Sequence, residues 1–266
     1  MAEQKSSDWL GLSGRVCVVT GGGGGIGRAT ALSFAKAGAR VAAIDLDERG
    51  LEVTRAELGA DHVIARCDTT DVESVTAASA TIEKSLGPCQ VLVNTAAVLR
   101  PGALDTLSLA EWNAVLSVNL TGYFVCAQVF GRQMRTLGRG SLVHVASIAG
   151  SNAQGQSGAY SVSKAGVIML SRQLANEWGP HGIRSNVVSP GMVITPMSQS
   201  FYDTPGVTER RAAVVPMRRV GMPQDMADAI LFLASDRASY VNGDEITVDG
   251  GYANMLMNLV PRPGFE

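Results

Sequence analysis

The sequence predicts a single α/β domain: a doubly wound, seven-stranded parallel sheet with helices on both faces. Three observations carry this. A compact β-branched run at 15–20 empties into consecutive glycines and is followed by an apolar pattern of helical period. Short apolar runs then alternate with helical patterns, as in βα units whose crossover helices must bury one stripe against the sheet. No linker, repeat or low-complexity block divides the 266 residues, and 46% apolar with 17% charged content suits one large core.

The elements follow in order. After a polar arm at 1–12 come a strand at 15–20, a helix at 26–39, a strand at 41–45 and a helix at 47–58. A strand at 62–67, a helix at 72–86 and a strand at 91–95 complete the first half. The segment 109–137 forms one long helix or two, followed by a strand at 141–147, a helix at 160–178 and a strand at 183–189. Pro190 and Gly191 stop regular structure, and a loop with proline and serine runs over 192–215, the expected substrate loop. A helix at 224–234, a strand at 245–249 and a tail at 252–266 close the chain.

Composition excludes several functions. A net charge of −2 gives no broad positive field, so neither nucleic acid nor an anionic membrane surface is an expected partner. The apolar stretch 112–131 is interrupted by Asn113, Asn119, Thr121 and Gln128, which would lack partners in lipid, so no membrane span is expected. Cys17, Cys67, Cys89 and Cys126 form no Cys-x-x-Cys pair, and the start carries no secretory signal; both fit a cytoplasmic protein. His62, His144 and His181 are too scattered to hold a metal, and none is expected.

Glycine is enriched, at 30 residues, and five stand in a row from Gly21 to Gly25, with Gly27 beyond. They lie where the first strand opens into the first helix, where free amides and the positive dipole end hold a pyrophosphate. Gly27 is followed by Arg28 and no Gly-Lys-Ser/Thr occurs, which removes a nucleoside-triphosphate P-loop. Asp45 ends the second strand, where a dinucleotide fold of Rossmann type places the acid that grips the ribose hydroxyls. A 2′-phosphate there would meet a carboxylate, and neither Gly22 to Gly24 nor Leu46 offers a base, so NAD is expected over NADP.

Tyr160 and Lys164 stand four apart in a helical pattern and share a face. A free phenol is a poor base at neutral pH, and a neighbouring ammonium favours its ionised form. Ser147, ending the preceding strand, would steady a substrate oxygen by hydrogen bonding.

Taken together, Thr20-Gly21-x-x-x-Gly25-Ile26-Gly27 and Tyr160-Ser161-Val162-Ser163-Lys164 resemble the cofactor loop and active-site helix of the short-chain dehydrogenases/reductases, a likeness running over about residues 13–251. The resemblance implies that Tyr160 is the acid/base, that Ser147 polarises the substrate oxygen, that Lys164 lowers the tyrosine pKa and holds the nicotinamide ribose, and that Asn119 links Lys164 to solvent. It implies cofactor contacts at Gly21, Gly24, Gly25, Ile26, Gly27, Asp45, Leu46, Asp68, Thr69, Asn94, Ala96, Tyr160, Lys164, Pro190, Gly191, Val193 and Thr195, with Asp68 at the adenine and Pro190 to Thr195 at the carboxamide. Asn94-Thr95-Ala96-Ala97 departs from the family's Asn-Asn-Ala-Gly.

The expected activity is hydride transfer between NAD(H) and a secondary alcohol or ketone, extending to a polyol or cyclic alcohol. Ser147, Asn152, Gln154, Tyr160, Met192 and Met197 are the expected substrate contacts. Two alternatives stand beside it: an NADPH-dependent 3-oxoacyl thioester reductase whose carrier meets Arg132, Arg135 and Arg139, and a dinucleotide-binding sensor or scaffold without catalysis. The resemblance implies a homotetramer. The tail, with Met255, Leu256, Met257, Leu259, Val260 and Phe265, is expected to lie extended on a neighbour or on its own subunit.

Overall fold

The computed structural model describes residues 8–260 and Gly264. The first part of the N-terminal arm, and Phe265 with most of the proline-bearing tail end, fall outside the described residues.

Seven parallel strands form one sheet: β1 (Val16–Thr20), β2 (Arg40–Asp45), β3 (Val63–Arg66), β4 (Val91–Asn94), β5 (Gly140–Val145), β6 (Ile183–Pro190) and β7 (Glu245–Val248), in the order β3-β2-β1-β4-β5-β6-β7. Alternation along β1 sets the layers. Cys17 and Val19 pack into one core with Phe34, Leu51, Met226 and Ile230, while Val16 and Val18 pack into the other with Ile82, Leu92, Phe130 and Leu174. The first core lies under α1 (Gly25–Lys36), α2 (Glu48–Leu58) and α10 (Pro223–Ala234). The second lies under α3 (Val72–Leu86), α5 (Gly122–Leu137) and α7 (Tyr160–Trp178). Burying a side chain such as Phe130 contributes about 3 kcal/mol, so two such layers tie every crossover to the sheet.

The strand order reverses between β1 and β4, where Thr20 pairs with Asn94, and this switch opens a crevice at the carboxyl ends of the strands. The segment expected as one helix or two is a continuous helix with a defect. α4 (Leu109–Leu116), closed at its start by a Ser108–Glu111 capping box, passes through a π turn at Ser117–Thr121 into α5. It is long and apolar enough to cross a membrane by composition, and 56% of its apolar window is buried inside the fold.

Three expectations need correction. The strand expected at 141–147 ends at Val145, and Ser147 caps a short helix, α6 (Ile148–Ser151), by accepting from the Ala149 amide. The expected loop at 192–215 contains α8 (Gln199–Tyr202) and α9 (Val207–Val214). Neither buries a residue, so neither has the apolar stripe that periodicity detects; the Arg211 guanidinium, over the rings of Phe201 and Tyr202, joins them. The tail is expected extended, but its described part coils through short 3₁₀ turns, Tyr252–Asn254 and Leu256–Leu259, before Pro261.

Candidate active site

The turn from β1 into α1 is made of backbone. Gly21 and Gly25 take left-handed conformations at φ 67° and 52°, and a Cβ on Gly27 would stand 2.1 Å from the Gly21 carbonyl oxygen, so bare backbone is required there. Gly24 caps α1 with no side chain, and a Cβ built on it meets only Pro196, at 3.7 Å. A twelve-residue helix thus presents its uncapped amides, at Ile26 and Gly27, to a cradle that fits a pyrophosphate.

Asp45 is locked in front of this cradle, its Oδ2 accepting from the Gly23 amide (2.9 Å) and its Oδ1 from the Asp47 amide (3.0 Å). Leu46 beside it is exposed. Arg28, next to Gly27, is committed elsewhere: it donates to Thr54 Oγ1 (3.0 Å), to the Gly50 carbonyl (3.1 Å) and to the Gly23 carbonyl. Asp68 accepts from both the amide and the hydroxyl of Thr70, which hold its carboxyl below the usual range, and Thr69 is buried against the start of α5 at Gly122. The turn at 94–97 is tied to β1. Thr95 donates through its hydroxyl to the Thr20 carbonyl (2.5 Å), and the amides of Thr95 and Ala96 donate to Thr20 Oγ1 (3.1 and 3.3 Å), tying β4 to β1 beside the glycines.

Across the switch point lies a cluster of side chains. Tyr160 opens α7, and Lys164 one turn on is 1% exposed, with Nζ 5.7 Å from the Tyr160 ring centroid. Burial pushes the lysine down to about 7. Burial also raises Tyr160, and a hydrogen bond from Ser147 draws it back. In the chain by itself burial outweighs that hydrogen bond and leaves the phenol above its ordinary value. α6, which Ser147 caps, packs closely on α7: a Cβ on Gly150 would stand 2.8 Å from the Lys164 carbonyl carbon.

Asn119 lies in the π turn, buried, accepting from the Val98 amide (2.8 Å) and donating to the Val98 carbonyl (3.0 Å) and Ser163 Oγ (3.1 Å). Ser163 in turn donates to the Tyr160 carbonyl (2.6 Å). Asn119 thus braces the loop after β4 against the first turn of α7 and makes no direct bond to Lys164.

The segment after β6 returns towards the glycines. Gly191 continues the sheet by donating to the Val248 carbonyl, Val193 forms a bridge with Gly221, and Thr195 lies 3.5 Å from where a Gly25 Cβ would be. The expected substrate residues are more dispersed. Asn152 spends its side-chain amide on the Ile148 carbonyl, Gln154 is exposed, and Met197 is exposed. Met192 lines a cavity of about 70 Å³ with Met217, Arg219 and Met226, at the end of β7. Sequence reasoning missed Tyr123, His144 and Ser163 as members of the cluster; in sequence each is an ordinary helix or strand residue, and only burial beside Lys164 or Asn119 distinguishes it.

A family model described as enoyl-(acyl carrier protein) reductase matches residues 21–253. The chain is 40% identical to D-threitol dehydrogenase of Mycolicibacterium smegmatis, over 94% of this chain and 98% of that protein. It is 41% identical to cis-4-hydroxycyclohexanecarboxylate dehydrogenase of Sinomonas cyclohexanicum, over 90% and 96% respectively. The fold superposes on the crystal structure of levodione reductase with a TM-score of 0.87 at 33% identity, covering 91% of this chain and 98% of that one. With the glycine cradle, the strand order and the Tyr160–Lys164 helix in place, these matches show that the chain belongs to the short-chain dehydrogenase/reductase family.

Proposed function

We propose that the chain catalyses the reversible, NAD-linked oxidation of a secondary alcohol to a ketone, on a polyol or a cyclic alcohol. The observation that carries this reading is the Ser147–Tyr160 pair with buried Lys164 behind it, facing a glycine cradle across the switch point. The relatives' named substrates, threitol and a hydroxycyclohexane carboxylate, support the substrate class.

When bound, the nicotinamide ring supplies hydride acceptance and donation. Gly24 to Gly27 would hold its pyrophosphate, Asp45 a ribose and Asp68 the adenine, with Leu46, Thr69, Asn94 and Ala96 as walls and Pro190 to Thr195 at the carboxamide. Ser147 holds the substrate hydroxyl and Tyr160 takes its proton; with the carbinol hydride given up to the bound nicotinamide, the C–O single bond would become the carbonyl. Lys164, when it carries its own proton, favours the phenolate beside it. Asn119 lies in the π turn, and a water held by its backbone carbonyl, as in the resembling family, would link Lys164 to solvent as the exit for that proton.

The NAD assignment rests on Asp45 and on the commitment of Arg28. At about 4 Å and an effective dielectric near 20, each unit pair of like charges repels by roughly 4 kcal/mol; after screening, ~2.7 kcal/mol is a hundredfold. The test is a panel of polyols, cyclic alcohols and hydroxy acids with each cofactor. NADH formation from a polyol or cyclic alcohol, at least about a hundredfold better in kcat/KM than with NADP, is expected. Turnover confined to 3-oxoacyl thioesters with NADPH would establish the carrier-linked reading, and dinucleotide binding without turnover the sensor reading.

We also assign a homotetramer and a reducing, cytosolic location. All four cysteines are unpaired and buried, which suits a reducing compartment, and Leu256, Met257 and Val260 stand exposed on the single chain, which suits cover by a neighbour. Removing residues 255–266 is expected to lower the mass seen by light scattering and to raise KM; an intact tetramer with unchanged KM would leave the tail without this role.

A further inference from the structure

The wall behind Lys164 carries a phenol that the mechanism above does not use. Tyr123, on the first turn of α5, is 1% exposed. Lys164 Nζ donates to the Val145 carbonyl (2.9 Å) and to Tyr123 Oη (3.5 Å), and lies 5.2 Å from the Tyr123 ring centroid. Tyr123 Oη donates to the same Val145 carbonyl (3.2 Å). Its hydrogen is thereby spent on Val145, so a lone pair of the hydroxyl faces the lysine.

The Tyr123 ring is itself held. It stacks on His144, with centroids 6.0 Å apart and planes at 25°, and Asn94 donates to His144 Nδ1 (3.1 Å) and, at 3.5 Å, to the Tyr123 carbonyl. Three elements, β4, β5 and α5, thus converge to fix one hydroxyl. A carbonyl cannot pass a proton on, so the Lys164–Tyr123–Val145 triangle is a dead end for proton transfer. Its physical effect is orientation: an ammonium has three N–H bonds, and with one on Val145 and one on Tyr123 the third has a single remaining direction.

We propose that Tyr123 is a positioning residue for Lys164, whose hydroxyl, with the Val145 carbonyl, clamps the ammonium so that its third N–H points out of the wall for the cofactor ribose and its charge stays beside Tyr160. This rests on the roles given above to Tyr160 and Lys164. The titratable groups facing the lysine are Tyr160 on its own helix, Tyr123 on α5 and His144 on β5; His144, forced down to about 3 by burial, stays neutral, and none of the ion pairs among the described residues includes Lys164. Tyr123 is therefore the nearby group whose removal changes how well the ammonium is held without changing local charge.

The experiment uses the full chain and the alcohol it turns over best. Tyr123→Phe keeps the ring, the stack and the cation–π contact and removes only the hydroxyl. An ammonium deprived of an acceptor gives up its proton more readily, so less of it faces Tyr160 near neutrality. The alkaline-rising limb of kcat/KM for alcohol oxidation is expected to move up by about one pH unit, the low end of what a hydrogen bond to a charged group supplies, and kcat at pH 7 to fall about tenfold. NADH affinity should fall as well, and the effect on that affinity should vanish in a Lys164→Met background. A wild-type pH profile, or an equal loss of NADH affinity with and without Lys164, would overturn the proposal, as would a crystal of the wild-type chain with NADH in which Oη and Nζ lie more than about 4 Å apart. That crystal decides the matter should the variant not fold. Tyr160→Phe, run alongside, separates the two failures: if it retains activity the underlying reading is lost, whereas an inactive Tyr160→Phe with a normal Tyr123→Phe removes only the clamp.

Discussion

Along the carboxyl edge of the sheet, the cofactor side at β1–β3 and the catalytic side at β4–β6 are held by different chemistry. On the cofactor side the working groups are main-chain amides and one carboxylate. Gly27 is packed against the Gly21 carbonyl and Gly21 against Thr95 and the Ala96 backbone, and Asp45 is fixed by two neighbouring amides. On the catalytic side the working groups are side chains buried where charge is costly: Asn94, Asn119, Tyr123, His144, Ser163 and Lys164, drawn from five separate elements. On the first side Asp45 keeps partial exposure. The second stores unfavourable desolvation, visible in a lysine pushed down to about 7 and in Asn94 Oδ1 and His144 Nε2, buried without partners among the described residues.

If that contrast is right, replacements on the two sides should fail in opposite ways. Lys164→Met is the largest expected effect: about a thousandfold loss of kcat, because the group that favours phenolate is gone. The same change should stabilise the fold. The lysine's folded value lies below its ordinary 10.5, so the unfolded chain binds more protons between about 7 and 10.5, and its penalty is largest below 7 and fades as pH rises through that window. At roughly 1.4 kcal/mol per pH unit the penalty at neutrality is on the order of 4 kcal/mol, less what Val145 loses in partners. Thermal unfolding of variant and wild type should show a higher Tm for the variant at pH 7 and a converging pair near pH 10. A lower Tm at pH 7 would mean that the lysine supports the fold.

Gly27→Ala should behave differently. Its Cβ must displace the Gly21 carbonyl, so the fold and the cofactor cradle weaken together, with the cofactor Kd rising by about a hundredfold, ~2.7 kcal/mol. Titration of cofactor fluorescence reads this directly; an unchanged Kd would show that the pyrophosphate does not lie on this turn. Asp45→Ala is the mildest, leaving the fold in place while NAD binding weakens and the preference for NAD over NADP falls from about a hundredfold to below tenfold. An unchanged preference would move cofactor selection away from Asp45.

The same contrast explains which parts of the site are legible in the sequence. The cofactor side is written in consecutive residues, five glycines and an acid at a strand end, because local backbone geometry demands those types. Tyr160 and Lys164 were legible for the same reason, being one helical turn apart. Tyr123 and His144 were not, since a tyrosine in an apolar helix and a histidine in an apolar strand have the same local pattern whether they pack against leucine or against an ammonium. The short helices α8 and α9 escaped because they bury nothing. Met192 is four residues before Pro196 in sequence, yet it lines the cavity at the end of β7 while Pro196 lies over the glycines, a divergence set by the Val193–Gly221 bridge that no spacing reveals.

The most direct test of the central claim is Tyr160→Phe, assayed on the best alcohol from the panel with cofactor Kd and Tm measured on the same preparation. The ring still packs, so both Kd and Tm should stay near wild type, while kcat falls by about a thousandfold because the atom that takes the substrate proton is gone. Retention of more than about a tenth of the wild-type kcat, with Kd and Tm unchanged, would contradict the assignment of Tyr160 as the acid/base and with it the catalytic reading of this edge of the sheet.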